Sequence, residues 1–380
     1  KFEPIAGTQA PFEVITRCGD GLDAVWSGDQ LWLMPVGGGL KPIFERPQLA
    51  VKYSRDYLHE VLFDGRWLWV VTAESGLRVL DLNGKLLGHL PASSAKGDSP
   101  AELVADATQL PPFDPKPYPL FQTQAGPGSG LRSAPSLRIL PFGQGRCLVA
   151  ANYGPLKRLW IAVVTLEPAG TWDVKIIQQG TKVAQLGDLT QFQNADIATE
   201  VTWLTLFQKP QPIPRPVAIL GRRMAPFRAT EIQPLLIDLT SLKVSALPGN
   251  FREDGYPWRP VVAANGRLIQ NTIHLFESIV PDFLKPEAAW KSELFIASPN
   301  RDNRISVEGS LFVAGDDCFV AAYGGWARLN TRDWKFDLLA PRPLPKEQLF
   351  SYHGVSSQHG LVSWNRNGPL HRVTITERSR

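Results

Sequence analysis

Sulfur is scarce in this 380-residue sequence, which holds three cysteines and two methionines. Cys18, Cys147 and Cys318 stand far apart and no C-x-x-C pair exists. That spacing excludes a disulfide framework and a cysteine-based metal site. At least one thiol must be free, and all three read as small buried hydrophobes. Long apolar runs are missing too: no stretch approaches the roughly 18 residues that a membrane-spanning helix needs. Charge of one sign never accumulates. The 40 Lys and Arg are interleaved with 36 Asp and Glu, for a net charge of +4, which excludes a nucleic-acid-binding stripe.

The motifs that announce chemistry are also absent. There is no GxxxxGK[ST], no GxSxG, no HExxH, no EF-hand loop and no N-x-[ST] acceptor. GPGSG at 126–130 lacks a following lysine and reads as a flexible loop. No metal and no cofactor is expected. No secretory leader is visible, yet the chain starts at Lys1 rather than Met. The expectation is a removed leader or anchor, or a domain cut from a longer protein, and with it an extracytoplasmic (periplasmic or secreted) location in a bacterium.

Turn-forming residues are what the chain has in quantity. Its 32 Gly and 33 Pro make up a sixth of it, against a usual share of about 12%, while 43% of the residues are hydrophobic. Residues 58–90, LHEVLFDGRWLWVVTAESGLRVLDLNGKLLGHL, show the grammar most plainly. Four short runs rich in Val, Leu and aromatics lie at 60–63, 67–72, 77–81 and 86–90. Asp64-Gly65, Glu74-Ser75-Gly76 and Asn83-Gly84 separate them, and Asp-Gly and Asn-Gly favour two-residue hairpin turns. The result is a four-stranded antiparallel meander. Both its faces are apolar, so it needs like neighbours on each side, which is the logic of a propeller blade.

The leading hairpin of this unit returns at 22–34, 137–151, 261–270, 311–323 and 355–364. A further unit starts at 200–207 (EVTWLTLF), where proline-rich KPQPIPRP replaces the tight turn, and continues at 217–221, 235–238 and 242–247. In the first unit, 40–44 and 49–53 supply the outer strands. The last unit lacks its outer strand, and 12–16 (FEVIT) belongs to no unit. The economical arrangement is one all-β domain over 1–380, a seven-bladed β-propeller closed by pairing N- and C-terminal strands. Segment 12–16 would complete the last blade and remove exposed edges. Six or eight blades are the alternatives.

Four long links, 91–134, 180–199, 222–233 and 276–292, either join blades or join second to third strands. All would reach one face, where long loops mark binding function. The 276–292 insertion has room for a short helix opening at Pro286. At the starts of innermost strands lie Asp20 and Asp23 in blade one, His59 and Glu60 in blade two, Glu200 in blade four and His353 in blade seven. Arg138 and Arg259 lie near equivalent starts. These groups form a candidate polar ring at the channel mouth, with Trp258 and Trp290 in or beside the long loops as ligand contacts. Trp32, Trp69 and Trp160 read as blade packing.

GDQLWLM at 28–34, DGRWLWVV at 64–71 and GLRVLDLNGK at 76–85 resemble the repeats of the β-propeller superfamily. The resemblance is to the loose bacterial repeats of the two-component-regulator and NHL-like kind; the Gly-His and Trp-Asp dipeptides of WD40 repeats are missing. It implies a sensing or binding role and no catalytic residue. The function expected is therefore a non-catalytic binding or scaffold module that presents its loop-rich face to a protein partner or a small ligand. The alternative is a propeller hydrolase or lyase using His59, Glu60, Asp20, Asp23 or His353 at the same mouth.

Overall fold

A computed structural model describes residues 2–5, 12–19, 21–28, 30–45, 58–72, 76–90, 137–153, 158–179, 184–185, 199–209, 215–224, 231–246, 251–252, 261–264, 267–271, 276–279, 292–296, 311–322, 325–333, 335–339, 352–357, 360–365 and 370–374. Among them every regular element is a β-strand. The strand β1 (Phe2–Pro4) opens the chain. Sheet one follows as β2 (Phe12–Gly19), β3 (Leu22–Ser27), β4 (Gln30–Pro35) and β5 (Lys41–Glu45). Sheet two holds β6 (Leu58–Phe63), β7 (Leu68–Thr72), β8 (Gly76–Leu80) and β9 (Leu86–Leu90). Sheet three holds β10 (Leu137–Gly143), β11 (Arg146–Tyr153), β12 (Arg158–Leu166) and β13 (Trp172–Gln179).

Sheet four is more elaborate. Short β14 (Ala184–Gln185) runs parallel to β18 (Val244–Ala246), beside β17 (Glu231–Asp238), β16 (Arg215–Met224) and β15 (Thr199–Lys209). The two-residue β19 (Phe251–Arg252) pairs with the start of β17. Sheet five comprises β20 (Val261–Ala264), β21 (Arg267–Asn271), β22 (Phe276–Ile279) and β23 (Ser292–Ile296). Sheet six comprises β24 (Leu311–Ala314), β25 (Asp317–Ala322), β26 (Gly325–Asn330) and β27 (Phe336–Leu339). The last sheet is β28 (Tyr352–Ser357), β29 (Gly360–Asn365), β30 (His371–Val373) and, antiparallel beside β30, β1.

The chain divides into two compact units. One comprises Lys1–Glu45, Phe207–Arg215 and Glu253–Arg380; the other comprises Arg46–Leu206 and Pro216–Arg252. In the second unit the period-two rule of a strand explains the packing. On β11, Cys147 and Val149 join one apolar cluster with Trp69, Val71, Leu77 and Val79 of sheet two. Leu148 and Ala150, their sequence neighbours, join another with Ala218, Leu220, Leu235 and Ile237 of sheet four. Sheet three is therefore apolar on both faces because it is covered on both. Each fully buried Val or Leu here is worth about 1.5–3 kcal/mol. In the first unit, Phe12, Ile15, Val25 and Met34 of sheet one pack with Val362 and Leu370 of the last sheet.

Four expectations are corrected. The expected long link 222–233 shrinks to 225–230, because Arg222 and Arg223 of β16 pair with Gln233 and Ile232 of β17. Sheet one begins one strand earlier than expected, at β2, so the hairpin 22–34 supplies its second and third strands and 41–45 its fourth. The cause lies at Gly19 and Gly21: both have φ near +75°, which lets the chain reverse there and pair β2 with β3. The expected strand at 49–53 lies outside the described residues. For the same reason 12–16 cannot complete the last sheet. Closure does join the two ends of the chain, but through β1, with Phe2 opposite Val373 and Pro4 opposite His371. Finally, 276–279 is a strand paired to both neighbours, so the link in sheet five is 280–291. It joins third to fourth strand and leaves from the opposite end of its sheet from that expected. The proposed helix in it lies outside the described residues.

Candidate functional site

Glu60 is the nominated residue whose geometry is fullest. It sits on β6, the first strand of sheet two, directly opposite Val71 of β7 and two residues from Leu62, so it shares the face that meets sheet three. Its carboxylate crosses that interface. Oε2 accepts the backbone N–H of Ile139, on the first strand of sheet three, at 2.8 Å. Burial among apolar groups pushes the Glu60 carboxyl up, while the neighbouring Arg138 guanidinium and the Ile139 amide pull it back down. Glu60 thus lies beside Arg138, and its carboxylate ties the first strands of two adjacent sheets.

Asp64 closes the β6–β7 connection, a four-residue link rather than the two-residue turn expected. Its Oδ1 accepts the N–H groups of Arg66 and Trp67 at 2.8 and 2.7 Å, and its Oδ2 accepts the indole N–H of fully buried Trp69 at 2.9 Å. Asp81, Asp238 and Asn330 close later turns by accepting amide N–H groups in the same way. These side-chain oxygens are occupied in holding turns.

The three cysteines are free and buried. Desolvation raises each thiol: Cys18 is pushed up to about 12, with Asp23 adding to the effect, and Cys147 and Cys318 are pushed well up as well. None is a reactive nucleophile at neutral pH.

The other nominated residues fall on several elements. Asp23 is fully buried, but on β3, the second strand of sheet one, opposite Arg17 and Met34; the shifted start of that sheet removes it from the innermost position. His59 lies on β6, Glu200 on β15 and His353 on β28, each a first strand. Asp20, Trp258, Arg259 and Trp290 lie outside the described residues. Trp69 packs as expected, edge-on to Trp172 at 6.2 Å between centroids. Trp32 is only half-buried, and Trp26 fills the core of sheet one instead, its indole N–H donating to the Gly28 carbonyl at 3.0 Å. Among the described residues no group of three or more His, Cys, Asp or Glu is arranged to hold a metal ion.

Sequence reasoning missed a surface at the tip of the β10–β11 turn. Arg66 lies over the Trp67 ring at 4.6 Å, and Arg146 lies over the Phe142 ring at 4.7 Å. Trp67 rests on Gly145: a Cβ there would come within 2.8 Å of the Trp67 ring and of the Leu166 carbonyl oxygen. The available signal was an arginine and an aromatic at each of two successive first turns, adjacent in Arg66-Trp67 and four residues apart in Phe142 and Arg146.

No protein-family profile matches the chain, and no curated protein matches it in sequence. Solved structures do. A structure described as the Dos1 propeller aligns with 97% of this chain and 94% of its own, at 12% identity and a TM-score of 0.52. The extracellular domain of a putative one-component system from B. thetaiotaomicron aligns with 98% of this chain at 11% identity and a TM-score of 0.48; the match spans 39% of that chain. BamB from Moraxella catarrhalis aligns with 98% of this chain and 95% of its own, at 11% identity and a TM-score of 0.46. At 12% identity the likeness to the Dos1 propeller is one of fold alone, and it agrees with the meandering sheets stacked through apolar faces: the chain is a β-propeller.

Proposed function

We propose that the chain is a seven-bladed propeller, closed where β1 pairs β30, that works as a non-catalytic binding or scaffold module outside the cytoplasm. It presents its long links to a protein partner or a small ligand and does not engage nucleic acid. The observation that carries this reading is the inequality of the sheet ends in the second unit. At one end the connections are short: 64–67, 81–85, 144–145 and 167–171. From the other end leaves 91–136, the longest link in the chain, rich in Pro, Gly and Ser. A rigid scaffold that carries its extra length at one end is built to present it. His59, Glu60, Arg138 and Glu200, on first strands of this unit, are the polar groups offered for ligand contact, with Asp20, Trp258, Arg259, Trp290 and His353 as further candidates. Raised, buried thiols make the chain tolerant of an oxidising compartment.

The test replaces 95–132 by a short Gly-Ser linker. The expected result is an unchanged melting curve together with loss of the crosslinks to other proteins that map to 91–134 in intact cells. Crosslinks that persist in the variant, or that never involve those residues, contradict the reading. Compartment fractionation tests the location.

A further inference from the structure

The β8–β9 turn carries a chemically reactive pair on the surface. The sequence holds Asn-Gly at 83–84, 265–266 and 367–368, and the first of these lies within the described residues. Asn83 is exposed, and its side-chain amide has no hydrogen-bond partner among the described residues. Gly84 follows it at φ +85°, with no side chain to shield its nitrogen.

Such a pair can lose ammonia without an enzyme. The Gly84 nitrogen gives up its proton and adds to Asn83 Cγ. The new C–N bond closes a cyclic imide, and the side-chain amide nitrogen of Asn83 leaves as ammonia. Water then opens the ring at either carbonyl. One opening leaves an aspartyl residue. The other leaves an isoaspartyl residue, which carries an extra methylene in the backbone.

The turn itself restrains the first step. The Gly84 N–H donates to the Asp81 carbonyl at 3.0 Å, so the attacking nitrogen is engaged. On either side of it, Asp81 Oδ1 accepts the N–H groups of Asn83 and Lys85, both at 2.8 Å. The Asp81 N–H donates in turn to the Lys85 carbonyl at 3.0 Å. Asp81 thus holds every backbone N–H from 83 to 85, and attack requires the turn to open locally.

We infer that Asn83 is a site of spontaneous deamidation and that the Asp81 side chain is the clasp that sets its rate. The isoaspartyl product lengthens a turn that Asp81 spans by fixed bonds, so conversion releases the clasp and frays the β8–β9 pairing that resumes at Leu80 and Leu86. The inference concerns the turn end of sheet two and does not depend on the function proposed for the long links.

The experiment incubates the purified chain in mildly alkaline buffer below its melting temperature. Peptide mapping by mass spectrometry follows amide-to-acid conversion at position 83, and electron-transfer fragmentation separates aspartyl from isoaspartyl products. Wild type is expected to convert slowly. Asp81→Ala should convert about tenfold faster, the rise in open turn expected from loss of one charge-assisted hydrogen bond. Asp81→Asn, which keeps an oxygen acceptor, should stay close to wild type. Asp64→Ala, which loosens the β6–β7 turn of the same sheet, should leave the rate at 83 unchanged. An Asp81→Ala variant that converts no faster than wild type overturns the proposal, as does an Asp81→Asn variant that converts as fast as Asp81→Ala. Equal acceleration by Asp64→Ala also overturns it, because general loosening of the sheet and not the clasp would then set the rate.

Discussion

Replacing Glu60 with Ala removes the acceptor of the Ile139 N–H and one methylene beside the cluster between sheets two and three. An unsatisfied enclosed N–H costs about 1–3 kcal/mol, and the lost apolar contact adds up to about 1 kcal/mol, so the expected destabilisation is about 2–4 kcal/mol. Glu60→Gln keeps an acceptor and removes only the charge. The sign of its pH dependence follows from the raised carboxyl. In the unfolded chain Glu releases its proton near pH 4.3, whereas the folded protein holds it to higher pH. Across that window the native state binds more protons, so wild-type stability falls as pH rises and levels off once the folded carboxyl has ionised. The Gln variant does not titrate. Its advantage over wild type should be absent in acid, grow from about pH 4 upward and then stay constant. Urea unfolding followed by tryptophan fluorescence reads the global change, and hydrogen exchange at the Ile139 amide reads the local one. A cost below about 0.5 kcal/mol for Glu60→Ala with unchanged exchange at Ile139 would refute the cross-sheet tie. A wild type that gains on the Gln variant as pH rises would show that Arg138 outweighs burial.

Asp64→Ala should cost about 2–4 kcal/mol in urea unfolding, because it orphans two turn amides and the indole N–H of a fully buried tryptophan. Asp64→Asn should cost about half as much, since Asn can still serve the amides but cannot accept from the indole at both points. Gly145→Ala should lower stability by about 2 kcal/mol or more, combining a left-handed backbone at φ +70° with a Cβ driven into the Trp67 ring and the Leu166 carbonyl. Gly19→Ala, at φ +75° with nothing within 4 Å of the added carbon, should pay only the backbone part. Equal melting-temperature losses for the two would remove the claim that Trp67 rests on Gly145.

The strands were legible because each carries its own period-two pattern and its own turn signal; all four strands of sheet two fall close to where Asp-Gly and Asn-Gly place them. The phase of the four-strand repeat was not. Every antiparallel hairpin looks alike, so nothing local in LDAVWSGDQLWLM says whether it holds strands one and two or two and three. The 22–34 hairpin is the most apolar part of sheet one and drew the boundary to itself, although Gly19-Asp20-Gly21 already marks an earlier reversal. That single shift moved Asp23 off the innermost strand and gave the wrong closing segment. FESI at 276–279 escaped notice because four residues with Glu and Ser among them carry too little pattern to stand out from a loop. At the candidate site, Glu60 and Arg138 were legible as polar residues at the start of apolar strands. The acceptor role of Glu60 was not, because its partner is a backbone N–H 79 residues away. Trp67 and Gly145 meet only through the stacking of two sheets, which no sequence window spans.

The closure of the chain on itself is tested most directly by a disulfide across the β1–β30 seam. Glu3 and Arg372 are opposed in the antiparallel register. In a Glu3→Cys/Arg372→Cys variant the paired strands bring the two Cα atoms to about 4.5–5.5 Å, within reach of a disulfide. The native thiols are buried and leave the seam pair as the reactive one. The account predicts rapid intramolecular crosslinking under mild oxidation and a higher melting temperature that reverts on reduction. Failure of that pair to crosslink, with efficient crosslinking of a Glu13→Cys/Arg372→Cys pair instead, would contradict it, because 12–16 rather than β1 would then complete the last sheet.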